Sequence, residues 1–446
     1  GVLPADWKFS RVTPVYKGKG PKSSCNNYRP ISVITHVAKL VERVVQKQLL
    51  SYLICHDLIN IDQSAYRPMH NTQTALHRVI DEWLENIEEG LLTGVCFLDI
   101  RKCFDSIDHN VLLFKMERYG IHGRELEWFK NYLSGRSQVV RHRSLSDVKF
   151  LNVGIPQGSV LGPNLFLLFV NDISQFVVNG ICNLYADDAV IFCNGKTTDE
   201  VQTDLQNCMT HVHKWYCQNR LSLNAEKSQV MMIKSKYHNA SDLLEIKIDN
   251  VILDQVNCAK YLGIDIDVNI TWNDYVSVLS KKIAFKLSML RRIRYVIPHN
   301  IAEKIFLSTI QPCIDYAISV WGQTTETNLN RIQRLQNYGA RIVLNDFNYE
   351  HRGIDLVKQL EWMSVKDRCF YFTCILMFKC LHNLAPNYLC DDIYLTNQIS
   401  SYDTRLHPLN VYTQLCHKRS YKWNGAIMWN VLPDHCKNAP SIDVFK

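Results

Sequence analysis

The chain has 446 residues, 47% hydrophobic and 21% charged, with 50 basic against 43 acidic side chains and a formal net charge of +7. That length exceeds one ordinary core and points to two or three domains. The apolar fraction excludes a disordered polymer, and the mild basic excess permits a polyanion partner without demanding one. Its 16 scattered cysteines include no CxxC pair. They do not read as a disulfide framework, which belongs to short secreted chains, so reduced thiols in an intracellular protein are expected. The start, Gly1-Val2-Leu3-Pro4-Ala5-Asp6-Trp7-Lys8, lacks the apolar core of a signal peptide. The apolar stretches around residues 161–170 and 370–381 are too short or too interrupted to span a bilayer. A first residue other than Met reads as a piece of a longer product.

Along the chain, Val12-Thr13-Pro14-Val15-Tyr16 reads as a short strand and Lys17-Gly18-Lys19-Gly20-Pro21-Lys22 as a basic turn. Arg29 follows with a forked donor suited to phosphate, so this region is either a solvated loop or a phosphate clamp. A helix is predicted from about Thr35, with Val37, Val41, Val45 and Leu49 on its apolar face. A polar connection over residues 63–72 leads into a helix over 73–89. Residues 94–100 read as a buried strand ending on Asp99, and residues 101–109 turn the chain into another helix. Residues 138–153 alternate loosely, as strands do. Gly154-Ile155-Pro156-Gln157-Gly158-Ser159-Val160-Leu161-Gly162-Pro163 opens into an apolar helix over 164–173. It is either a plain turn or a place where glycine lets backbone approach a flat ligand.

The stretch Asn183-Leu184-Tyr185-Ala186-Asp187-Asp188-Ala189-Val190-Ile191-Phe192 reads as a β-hairpin with an acidic pair at its turn. Two carboxylates about 4 Å apart repel by roughly 4 kcal/mol at an effective dielectric of 20. A hard divalent cation, which takes oxygen ligands, would relieve that repulsion. Such a pair is weak alone: Asp391-Asp392 also has apolar neighbours but no third acid to match. Here a strand ending on Asp99, laid beside the hairpin, is expected to bring a third carboxylate. Three such groups should not all ionise at pH 7 unaided, so the cluster reads as a two-metal site.

Residues 198–220 form an amphipathic helix marked by Val201, Leu205, Cys208, Val212 and Trp215. Leu221 to Ser228 turns into a strand over 230–233, and residues 257–266 read as a short strand pair. From Trp272 the pattern is helical, with Val276, Leu279, Ile283, Leu287 and Leu290 as an apolar stripe. Lys281, Lys282, Lys286, Arg291, Arg292 and Arg294 fill much of the rest. A charge-rich helix is usually a solvated face, but the lack of any acid from residue 279 to 294 favours polyanion contact. Arg331, Arg334 and Arg341 fall near one face of a later helix. Lys418-Arg419-Ser420-Tyr421-Lys422-Trp423 mixes bases with aromatics, either to stack on a single strand or as a packed edge strand. Cys416-His417 and His435-Cys436 lack a CxxC partner and read as chance placement rather than a zinc knuckle.

Six segments occur in an order that resembles reverse transcriptases: Asn27-Tyr28-Arg29-Pro30-Ile31-Ser32, Phe97-Leu98-Asp99 to Asp108-His109, Gly154 to Pro163, Tyr185-Ala186-Asp187-Asp188, Leu221 to Ser228, and Lys260-Tyr261-Leu262-Gly263. The wording of the long Gly/Pro loop and of Tyr-Leu-Gly is most similar to non-LTR (LINE-type) retrotransposons of the jockey and CR1 sort. The resemblance covers about residues 8–345. Residues 346–446 look like the ending of such reading frames, with no role implied.

The resemblance implies an α+β right-hand polymerase: fingers and palm with an antiparallel sheet over 1–268, a helical thumb over 269–345, and a small C-terminal region. It implies that Asp99, Asp187 and Asp188 hold two Mg²⁺ ions, with Mn²⁺ as a substitute. Arg29 and Lys17 would hold the incoming triphosphate, Phe104 would be the gate against a ribose 2′-hydroxyl, and Gln157 and Gly158 would touch nucleotide and template. Lys227 matches a lysine that protonates pyrophosphate, and Tyr261, Leu262 and Gly263 match a primer grip. Cys103 replaces the more usual alanine. The implied partners are an RNA template, a DNA primer or target and dNTPs, with no membrane, in a ribonucleoprotein of nucleus and cytoplasm. The expectation from another class is a non-catalytic RNA-binding protein that keeps the polymerase fold.

Overall fold

The computed structural model describes residues 2–18, 20–238, 243–391, 393–396, 408–413 and 416–446. Lys19 of the basic turn and Asp392 of the second acidic pair lie outside them. The strands are β1 (Phe9–Tyr16), β2 (Tyr28–Val33), β3 (Leu92–Leu98), β4 (Arg136–His142), β5 (Ser144–Leu145), β6 (Lys149–Leu151), β7 (Ile181–Tyr185), β8 (Asp188–Gly195), β9 (Gln229–Ile233), β10 (Lys247–Ile248), β11 (Val251–Ile252), β12 (Asp254–Gln255), β13 (Cys258–Tyr261) and β14 (Ile264–Asp267). With the long helices this is the α+β architecture expected.

The central sheet runs β12-β9-β3-β8-β7. Every pairing in it is antiparallel except β12 on β9. Side chains on a strand alternate between faces, and here both faces are apolar, so each strand reads as a continuous hydrophobic run. Cys96, Leu98, Ile191, Val230 and Met232 face one core, shared with the helices Gly162–Val170 and Thr198–Gln218. Val95, Phe97, Val190, Phe192, Met231 and Ile233 face the other, shared with the helix Thr72–Glu88. Trp83 of that helix is fully buried, edge-on to Phe97 and Phe192 at 6.3 and 5.8 Å between ring centroids. Such pairs add about 0.5–1.5 kcal/mol each beyond burial. Capping boxes start both long helices, Asn71 with Thr74 and Thr197 with Glu200, each satisfying two otherwise orphaned donors.

A second sheet, with β1 antiparallel to β2 and parallel to β4, carries the basic turn. The helix predicted from Thr35 is His36–Cys55, capped by the Thr35 hydroxyl, but its buried face differs from expectation. Val37 is 51% exposed, and Glu42 is buried in its place. Glu42 accepts from the Val160 N–H at 2.7 Å, the Leu161 N–H at 3.4 Å and the Tyr132 hydroxyl at 2.9 Å. Those three donors repay the cost of burying a charge, and the residue ties this helix to the Gly/Pro loop.

The helix Asn273–Ile293 buries its whole predicted stripe, Val276, Leu279, Ile283, Leu287 and Leu290, in the core shared with one face of the central sheet. The helix Glu326–Leu344 packs beside it. Arg341, expected on a basic face, is instead buried and donates to the carbonyls of Asn348 and His351. Residues 418–423 are not an edge strand: Ser420 caps the helix Tyr421–Asn430. That helix packs on Thr72–Glu88, with the Tyr421 N–H on Asp81 Oδ1 at 2.8 Å, the Tyr421 ring 4.7 Å from His77, and Lys422 paired with Glu85 at 3.2 Å. Arg419 donates to the Ile270 carbonyl. All 16 cysteines are free thiols. Among the described residues no helix is long and apolar enough to cross a membrane.

Candidate functional site

The acidic turn stands at the end of the central sheet. Tyr185 pairs with Asp188 to close the β7–β8 hairpin, leaving Ala186 and Asp187 as its two-residue turn. Leu98 pairs with Ala189 across β3 and β8, so Asp99 leaves the end of β3 beside the point where Asp188 opens β8. This is why Asp99, distant in sequence, arrives at the hairpin. Burial, then the charge of Asp187, then that of Asp99 push the Asp188 carboxyl up to about 6. Asp99 Oδ2 accepts from the Asn224 side-chain amide at 2.9 Å, and the Asp99 carbonyl accepts from the Asn224 N–H at 2.8 Å. Cys103 Sγ donates to Asp187 Oδ2 at 3.5 Å, and burial together with Asp187 pushes that thiol up. As placed, no three His, Cys, Asp or Glu side chains among the described residues close on one point as a metal cage. The three aspartates nonetheless supply only carboxylate oxygens, the donor type of Mg²⁺.

Two polar groups beside the turn escaped sequence reading. Gln63 is fully buried and its Oε1 accepts from the Ala186 N–H at 3.2 Å. Tyr66 stands at φ 56°, and its phenol is pushed up by burial and then by Asp187. A lone Gln or Tyr in a polar loop carries no periodicity, so only the tertiary structure reveals either.

Around this centre the other expected residues divide. Phe104 stacks on Phe166 with centroids 4.9 Å apart, and its carbonyl accepts from the Ile155 N–H. The Gly/Pro loop is therefore laced to the turn that follows Asp99. Gly158 has φ 118°, and a Cβ there would meet the Ser32 carbonyl oxygen at 2.7 Å, so only glycine lets the loop lie against β2. The Gln157 carbonyl accepts from the Ser32 N–H at 2.7 Å, and its side-chain Oε1 is buried without a partner. Arg29 on β2 and Lys227 are exposed. Lys17 is exposed too, but its Nζ donates to the Asn26 carbonyl at 2.9 Å.

Leu262 and Gly263 form the two-residue turn of the β13–β14 hairpin, both at positive φ (46° and 83°), the geometry that matches strand twist. The Tyr316 hydroxyl donates to the Leu262 carbonyl at 2.5 Å, while Tyr261 is buried beside Phe97 at 6.1 Å. Of the six basic residues on the helix Asn273–Ile293 and just beyond, Lys281, Lys282 and Arg292 are exposed. Arg291 is exposed but bonds the Tyr338 hydroxyl at 2.7 Å. Two are committed elsewhere: Lys286 Nζ donates to the Thr309 carbonyl, and Arg294 Nε donates to the carbonyls of Ile342 and Val343. Arg294 thereby caps the C-terminal end of the neighbouring helix.

Residues 20–266 match the family described as reverse transcriptase (RNA-dependent DNA polymerase). Among curated relatives, the probable RNA-directed DNA polymerase from transposon BS of Drosophila melanogaster is 27% identical over 82% of this chain and 41% of its own length. The RNA-directed DNA polymerase from mobile element jockey of Drosophila funebris is 29% identical over 75% of this chain and 37% of its own. The chain thus spans about two fifths of the length of these relatives. Among solved structures, telomerase from Candida albicans aligns over 82% of this chain and 68% of its own, at 12% identity and a TM-score of 0.44.

Proposed function

Since the chain belongs to the reverse transcriptase family, we propose that it is the RNA-directed DNA polymerase portion of a non-LTR retrotransposon, extending a DNA 3′-end on an RNA template. The observation that carries this reading is the gathering of acids at the sheet end, where Asp187 and Asp99 both raise the pKa of Asp188. Asp99, Asp187 and Asp188 would hold two Mg²⁺ ions, with Mn²⁺ as a substitute; Asp99 would swing from the Asn224 amide to do so. Bound there, such ions lower the pKa of a primer hydroxyl and steady the charge of the departing pyrophosphate.

The rest of the task is positioning, which dominates phosphoryl transfer. Arg29, with Lys17, would grip the triphosphate, and Lys227 would give a proton to pyrophosphate. Phe104, propped by Phe166, would exclude a 2′-hydroxyl, while Gln157 and Gly158 lay the loop against nucleotide and template. The Tyr261-Leu262-Gly263 hairpin would support the primer end. Lys281, Lys282 and Arg292, with Arg291, would meet phosphates of the duplex. The setting proposed is a ribonucleoprotein of nucleus and cytoplasm.

The test is template-dependent dNTP incorporation by the purified chain, with RNA and DNA templates side by side. Asp187→Asn is expected to abolish incorporation while leaving thermal unfolding unchanged. Full activity in that variant refutes the assignment. A native chain that binds RNA but incorporates nothing would favour the non-catalytic RNA-binding reading.

A further inference from the structure

The acidic turn has a backbone difficulty that the hairpin cannot solve alone. The ladder closes at Tyr185 and Asp188, so the Ala186 N–H has no strand partner. Ala186 also stands at φ 56°, a left-handed conformation that a residue with a Cβ adopts only at a cost. A partly buried N–H left unpaired would add to that cost. Gln63 meets both problems: its Oε1 accepts from the Ala186 N–H at 3.2 Å and from the Ala65 N–H at 2.9 Å.

Gln63 is itself held firmly. The Leu184 N–H donates to the Asp62 carbonyl and the Ser64 N–H to the Leu184 carbonyl, both at 2.9 Å. Gln63 is thereby bridged in parallel to Leu184, beside the open edge of β7. From outside, Arg78 donates to Asp62 at 2.8 Å and to the Ile61 carbonyl, and Arg67 donates to the carbonyls of Asn60 and Gln63. Tyr388, from the C-terminal region, adds a hydroxyl contact to Ser64 Oγ at 3.3 Å. The Gln63 Nε2 is buried without a partner. Leucine or methionine would fill the same space without that penalty, so the oxygen is the group this position uses. A neutral oxygen also fits better here than a carboxylate, which would add a further negative charge beside Asp187 and Asp188.

We infer that Gln63 is a positioning residue: it holds the Ala186 amide and so fixes the direction in which Asp187 and Asp188 present their carboxylates. This rests on the polymerase reading above. Because it acts through the backbone, its loss should change turnover rather than substrate binding.

The experiment uses the full chain, labelled with ¹⁵N-alanine, as native protein, Gln63→Leu and Gln63→Glu. In native protein the Ala186 amide should exchange slowly with solvent. In Gln63→Leu we expect exchange to quicken and kcat for dNTP incorporation to fall about tenfold, the scale of one missing hydrogen bond, with KM for dNTP and template affinity within about twofold. Gln63→Glu keeps an acceptor and should recover the exchange protection. A freely exchanging Ala186 amide in native protein overturns the inference without recourse to any variant, so a misfolded variant does not shelter it. So does Gln63→Leu with kcat within about twofold of native, or with KM rising in step with the loss of kcat. A native chain inactive on every template sinks the polymerase reading and this inference together; an active native chain with an indifferent Gln63 sinks the inference alone.

Discussion

Asp81 gives a prediction whose size and sign both follow from its surroundings. Its carboxyl is 5% exposed on the helix Thr72–Glu88, where Oδ1 accepts the Tyr421 N–H and Oδ2 has no partner. Burial pushes it from 3.8 up to about 7, against the lowering pull of that N–H and of Lys422. Because the folded pKa is raised, the folded state holds a proton that the unfolded chain has already released between about pH 4 and 7. Stability therefore falls as pH rises through that window, is unaffected by this group below it, and carries the full penalty above it. Roughly three pKa units at 1.36 kcal/mol each give an upper bound of ~4 kcal/mol. Asp81→Asn keeps an acceptor for Tyr421 and removes the charge. The variant should unfold at a higher temperature than native protein at pH 8 and lose that advantage at pH 4.5. Thermal unfolding by circular dichroism at both pH values measures this. Equal pH slopes in native protein and variant would refute the reasoning, since the charge on Asp81 would then not be felt.

Four further outcomes are expected. Phe104→Ala should admit ribonucleotides in primer extension, and unchanged sugar selectivity removes Phe104 from the gate. Replacing Lys281, Lys282 and Arg292 with alanine should weaken RNA–DNA binding and flatten the plot of log affinity against log salt by about 0.7–0.9 for each phosphate no longer neutralised; Arg294→Ala should instead lower the unfolding midpoint, because it gives up the Ile342 and Val343 carbonyls. Glu42→Ala strands the Val160 N–H and the Tyr132 hydroxyl, so urea unfolding should show a loss of about 3 kcal/mol, with KM for dNTP raised as the Gly/Pro loop loosens.

What the sequence discloses here is what repeats along it. Continuous apolar runs give β3, β8 and β9, and the acid at the end of β3 can be matched to the hairpin because antiparallel register is counted in residues. The 3.6-residue stripe of Asn273–Ile293 is equally plain. Residues that answer to a partner far along the chain are not legible. Glu42 is buried because Val160 comes to meet it across 118 positions, and Arg294 turns inward because the Ile342 carbonyl lies 48 positions away. The alternation of bases and aromatics at 418–423 does not announce the helix that starts there, nor that Arg419 donates to the Ile270 carbonyl and the Tyr421 N–H to Asp81.

The short parallel segment along β7 has a consequence beyond the turn it steadies. A sheet whose outermost strand offers bare N–H and C=O groups is a template for another chain, and proteins guard such flanks against sideways fusion. Asp62 and Ser64 occupy the Leu184 amide and carbonyl, so that stretch of the rim is closed to a stranger's strand. A second copy of the chain is thereby kept from adding its own strand to the sheet at Leu184.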